Sequence, residues 1–222
     1  MQKASINILG DGTSSGGDFE NVKVLGNGLF YGDVNCDKFQ CTGSATIHGK
    51  LFANKITIRG TVQFQEAGNN GSESEPFATP IRTDSLYVKA KKVDITGELQ
   101  ANGDCEADHF KLRGALHIRG MISADKTELK LHGASYVREI GGAEIIVKQK
   151  TGIPFANLFL PAGGTLESEV IEGDHVYLEY ANVRCVRGGS VEIGPGCTIG
   201  TIEYRDTLKI DKGSTVESQS QS

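Results

Sequence analysis

At 222 residues, with 38% hydrophobic and 7% aromatic residues and no Trp, the chain has a thin apolar stock for a wide globular core. Its formal net charge of −5 argues against a general nucleic-acid binder, which would show a basic stripe. No apolar run of about 18 residues appears and no secretory leader, and five cysteines without a C-x-x-C pair fit a reducing cytosol.

Residues 1–21 are polar and glycine-rich after a brief Ile6, Ile8, Leu9 run and read as a flexible N-terminal arm. A repeat opens at residue 22. Val22, Phe39 and Ile56 fall 17 residues apart, as do Val24, Cys41 and Ile58, and Gly26, Gly43 and Gly60. Within each short run apolar residues alternate, the period of a strand with one buried face. Glycines returning on the same count mark corners where the backbone bends at low steric cost. A fixed internal period implies a solenoid. Seventeen residues shared among three short strands and three corners make one coil of a parallel β-helix, so the fold class is all-β.

Block one covers 22–64, and the Gly, Asn, Ser, Glu and Pro of residues 65–84 form a loop. Block two, 85–133, resumes the count: Val93, Phe110 and Thr127 correspond, as do Ile95, Leu112 and Leu129, and Gly97 and Gly114. Cys36, Cys41 and Cys105 occupy positions that are apolar in other repeats and read as small buried hydrophobes. Residues 134–166 are an insertion, with two alternating runs predicted to pair as a hairpin about Gly141 and Gly142. Its second part gathers Ile153, Phe155, Leu158, Phe159 and Leu160 beside Pro154 and Pro161, a hydrophobic loop that either covers the helix or contacts a membrane surface or partner. Block three, 167–216, places Val176, Ile193 and Ile210 at 17-residue spacing, with Val191 over Leu208 and Cys185 over Ile202. Residues 217–222 form a disordered tail.

About eight coils at a rise of about 4.8 Å make a rod on the order of 40 Å long. Its terminal coils end in unpaired strand edges. Val22, Val24 and Leu25 at one end and Leu208, Ile210 and Val216 at the other are the candidate polymer interface; capping of the core is the alternative role.

The residues assemble no catalytic set. His48, His109, His117, His132 and His175 fall mostly at outward positions without H-E-x-x-H spacing. GDGTSSGG (10–17) lacks the G-K-[ST] ending of a phosphate loop, and ESEVIEGD (167–174) lacks the spacing of a calcium loop. Lys89, Lys91 and Lys92 make a small basic patch on a solvated face. No cofactor, metal or nucleic-acid partner is expected. VEIGPGCTIG (191–200) is similar to the hexapeptide repeats of left-handed β-helix acyltransferases, but over two hexads only.

The stretches GDVNCDKFQCTGSATIHGKLFANKITIRGTV (32–62) and GELQANGDCEADHFKLRGALHIRGMISA (97–124) resemble the bactofilins, with 171–206 similar to a C-terminal portion of polymer-forming members. The resemblance implies a right-handed, roughly triangular β-helix that assembles end to end through its terminal coils into nonpolar filaments, without nucleotide. It also implies a bacterial cytoskeletal scaffold, partnered by itself or by a paralogous bactofilin. The expected location is cytoplasmic or peripheral at the inner face of the membrane, with Ile6, Ile8 and Leu9 as the short N-terminal hydrophobic segment. This chain departs from the uninterrupted family domain through its two insertions. A non-polymerising β-helical adaptor is the reading from another class.

Overall fold

A computed structural model describes residues 3–65, 86–149 and 163–222. It contains eleven strands: β1 (Ala4–Ser14), β2 (Gly17–Phe30), β3 (Val34–His48), β4 (Leu51–Gln65), β5 (Leu86–Ala101), β6 (Asp104–Leu131), β7 (Ser135–Gln149), β8 (Leu166–Leu178), β9 (Ala181–Ile193), β10 (Thr198–Ile210) and β11 (Thr215–Gln221). They form one parallel sheet in strict chain order, each strand bonded to the next. Sequential parallel neighbours at this short spacing mean that the sheet winds around itself, so the chain is a β-solenoid. The ladder bonds of each inner strand run to the layers on either side of it.

The register shows how the sequence specifies the stack. One inward column runs Ile8, Val24, Cys41, Ile58, Ile95 and Leu112, then Leu129, Val147, Leu178, Ile193 and Ile210. A second runs from Ile6 and Val22 through Phe39, Ile56, Val93 and Phe110 to Thr127, Ile145, Val176, Val191 and Leu208. β-Branched and aromatic side chains suit these half-buried pleats, and the narrow interior needs no wide core. Eleven layers at a rise of about 4.8 Å give a stack of roughly 50 Å, longer than the eight coils read from sequence.

Three segments differ from the sequence reading. The supposed arm, 1–21, supplies β1 and the start of β2. Its spacing to the next coil is 16, with Gly10 on Gly26, and its inward positions include Gly12, which weakens the alternating signal. The expected hairpin about Gly141 and Gly142 is instead the single strand β7, parallel to both neighbours. Ile140 lies on Ile122 and Ile145 on Thr127, so the two glycines span a corner at a spacing of 18. The tail 217–222 largely belongs to β11, paired from Thr215 on Thr198 to Gln221 on Tyr204.

In block three the coil shortens to 15 residues between β8 and β9. Val176 therefore lies on Val191 rather than Ile193, and Cys185 faces Thr201 while Ile202 lies on Val186. The pairs Val191 with Leu208 and Ile193 with Ile210 keep their 17-residue spacing.

Corners use a recurrent Gly-Asp pair. The Asp33 carboxylate accepts a hydrogen bond from the Lys50 amide at 2.8 Å, and Asp104 accepts one from the Met121 amide at 2.7 Å. In both cases an acid caps an N–H of the next coil 17 residues on. A β-carbon at Gly49 would come within 2.7 Å of the Gly32 backbone, so glycine is required where the layers meet this closely.

One layer of the second column is flawed. Thr127 is fully buried and its hydroxyl has no hydrogen-bond partner among the described residues. Valine has the same branching without the stranded oxygen. Thr127→Val is expected to stabilise the protein by about 1 kcal/mol, read as a higher urea midpoint at unchanged slope.

Candidate functional site

The solenoid offers two kinds of surface, its ends and its sides. The N-terminal end is β1, whose outer edge has no partner strand among the described residues. Leu9 is 73% exposed there, and Leu25 beneath it is 38% exposed. Val22 and Val24, proposed as edge residues from the sequence, are buried one layer inside because β1 covers them. The edge at this end passes to Ile6, Ile8 and Leu9.

At the other end β11 covers only part of β10, from Thr198 to Tyr204. Beyond that point Leu208 is half-buried and Ile210 is 39% exposed, while Val216 packs against the core from β11. Leu208, Ile210 and Val216 thus lie on the last two strands. The loop candidates Ile153, Phe155, Leu158, Phe159 and Leu160 lie outside the described residues.

Along one corner, small side chains stack from Cys36 through Ala53 and Ala90 to Ala107. With Ala124 and Gly142 they floor an open trough of about 650 Å³. Burial pushes the Cys36 and Cys105 thiols up to about 12, helped by Asp37 and Asp104 respectively, and the Cys41 thiol up to about 11. At neutral pH these groups are protonated and behave as the small hydrophobes expected from their positions.

The histidines are scattered. His48 stacks on Tyr31 at 5.7 Å and His117 lies against Tyr136 at 5.3 Å. Burial, followed by the charge of Arg119, lowers the His117 pKa. The stretch around Val191 joins β9 to β10 and carries Tyr177 alongside. The Tyr177 hydroxyl donates to Glu179 at 2.6 Å, and that bond and burial push its pKa up to about 12.

A side face was missed at the sequence level. Lys38, Lys55, Lys92 and His109 are direct ladder partners in successive coils. Lys92 is therefore one rung of a ladder rather than part of a local Lys89–Lys92 patch. Net charge concealed it, because the acids lie elsewhere. Rows of 17 residues align Lys38 with Lys55, but Lys92 follows Lys55 by 37 residues and joins the ladder only through the register of β5 on β4.

No helix among the described residues is long and apolar enough to cross a membrane. No family profile matches the chain, and no solved structure matches it. The chain is similar to the uncharacterized protein YhbF of Bacillus subtilis, 43% identical over 99 residues, covering 44% of this chain and 40% of YhbF. It also resembles the uncharacterized protein YhbE of the same organism, 34% identical over 225 aligned residues that cover 95% of this chain and 94% of YhbE. With that identity maintained over nearly the full length of both, the chain belongs to the family of YhbE.

Proposed function

We propose that this protein is a bactofilin-like scaffold that assembles end to end without nucleotide, through the strands that terminate its solenoid. The observation that carries the reading is the edge of β1, unpaired among the described residues, with Leu9 exposed beside it. A parallel strand edge is a row of free N–H and C=O groups that templates another strand, and natural proteins normally blunt such edges. Here the outward apolar residue adds area to bury. The opposite end offers Leu208 and Ile210 on the uncovered part of β10. The same reading places the protein in the cytoplasm or peripherally at the inner membrane face, with itself or a paralogue as partner.

Negative-stain microscopy of purified protein without nucleotide tests this. Filaments or ordered bundles are expected. Leu9→Asp should reduce them to short particles while circular dichroism stays unchanged, because the side chain is mostly in solvent and its loss removes little core packing. A wild-type protein that stays strictly monomeric at high concentration would overturn the proposal.

A further inference from the structure

The outward positions of one side face, from β3 to β7, carry nine Lys or Arg against three Asp or Glu in a chain whose formal net charge is −5. Lys38, Lys55 and Lys92 are exposed and stacked in successive layers. Arg59, Arg113 and Lys130 lie on the same face, four residues further along their strands from Lys55, His109 and Lys126. The two acids nearest the lower part of the face are already engaged. Glu128 pairs with Lys111 at 3.1 Å and with Lys126 at 3.4 Å, and Glu144 pairs with Lys126 at 2.8 Å. The six cations named first have no ion pair among the described residues.

Like charges set directly opposite on neighbouring strands destabilise a sheet. A fold that holds three lysines about 4.8 Å apart in successive layers sets up a charge ladder that an external anion would relieve. The face is flat, because parallel layers stack without a groove between these positions. It carries no Phe, Tyr or Trp from β3 to β7, and the single ring of His109 does not make the run of stacking platforms on which single-strand binders rely. The acids elsewhere on the molecule would repel a long polyanion that wraps it. A planar surface meets only the near face, within a Debye length of about 10 Å.

We propose that this basic face docks the protein side-on to an anionic lipid surface. The contact is made by Lys38, Lys55, Lys92, Arg59, Arg113 and Lys130 and does not depend on end-to-end assembly. It uses none of the residues of the apolar stretch 153–160, so substitutions in the two can be tested separately.

Flotation with phosphatidylcholine vesicles, with and without phosphatidylglycerol, tests it on the full chain. Wild type should bind only the anionic vesicles and be released by high salt. The triple variant Lys38→Gln, Lys55→Gln, Lys92→Gln should bind about 100-fold more weakly, at about 1 kcal/mol for each cation near the surface. Its melting temperature should equal or exceed that of wild type, because the stacked repulsion is gone; a folding defect therefore cannot account for the loss. Phe155→Ser with Phe159→Ser should leave this binding in place. Absence of binding to anionic vesicles at low salt, or full binding by the triple variant, overturns the proposal. So does tighter, ladder-dependent binding to DNA or RNA oligonucleotides, which would assign the face to nucleic acid.

Discussion

Replacing Gly60 with alanine is expected to destabilise the protein by at least about 3 kcal/mol, while the same change at Gly10 costs about 1–2 kcal/mol. Both glycines have positive φ, +135° at Gly60 and +78° at Gly10, and both belong to one corner column with Gly26, Gly43, Gly97 and Gly114. The difference lies in the layer before each. A β-carbon at Gly60 would be driven into the carbonyl oxygen of Gly43, a backbone atom that cannot move without breaking the ladder. At Gly10 no atom lies within 4 Å of the added carbon, because no described layer precedes β1. Gly10→Ala thus bears the conformational strain alone. Urea melts of both variants check the prediction, and equal midpoints would refute it.

The contrast has a second use. A parallel strand stacked on β1 in the register of the other layers would bring a carbonyl to the position the Gly10→Ala methyl occupies. The variant should therefore fold and yet assemble poorly if copies continue the solenoid at that end.

Phe39→Ala is expected to cost about 3–5 kcal/mol. Phe39 is fully buried between Val22 and Ile56, and its ring lies 6.0 Å from that of Phe30 at a tilt of 59°. The interior is a narrow stack of close-packed side chains, so little neighbouring material can collapse into the cavity. Phe52, half-buried on the outside of the next coil, should lose less than half as much when truncated to alanine. Because each coil touches only its neighbours, the damage should be local. Hydrogen exchange should show lost protection in β2 to β4 and native protection in β9 and β10. Uniform loss along the chain would show that the layers unfold as one unit.

The central coils were legible in the sequence because the 17-residue count holds within each block: Val34 stacks on Leu51, and Val88 on Cys105, as the spacing implies, whereas the junction of Leu51 with Val88, 37 residues on, lies off that count. The ends were harder to read for physical reasons. β1 is offset by 16 and turns Gly12 inward, β7 comes in at 18, and β9 follows β8 at 15. A coil can lose or gain a corner residue while its strands keep their ladder, whereas a search on one fixed period loses phase. The error at Val22 and Val24 follows directly: with β1 mistaken for a loose arm, β2 passes for the edge of the stack. The lysine ladder went unread because charge was counted along the chain and not across layers.

The ladder between β4 and β5 has one further consequence. Gly60 lies on Gly97, so the stack resumes in register after a chain separation of 37 residues in place of 17. The cost of closing a connection grows only logarithmically with its length, by about 0.6 kcal/mol for each doubling. Corners of this solenoid therefore act as ports. Sequence can be spliced in or removed there with little effect on the stack, leaving the rod's length and its outward charges to be set independently of whatever the corners carry.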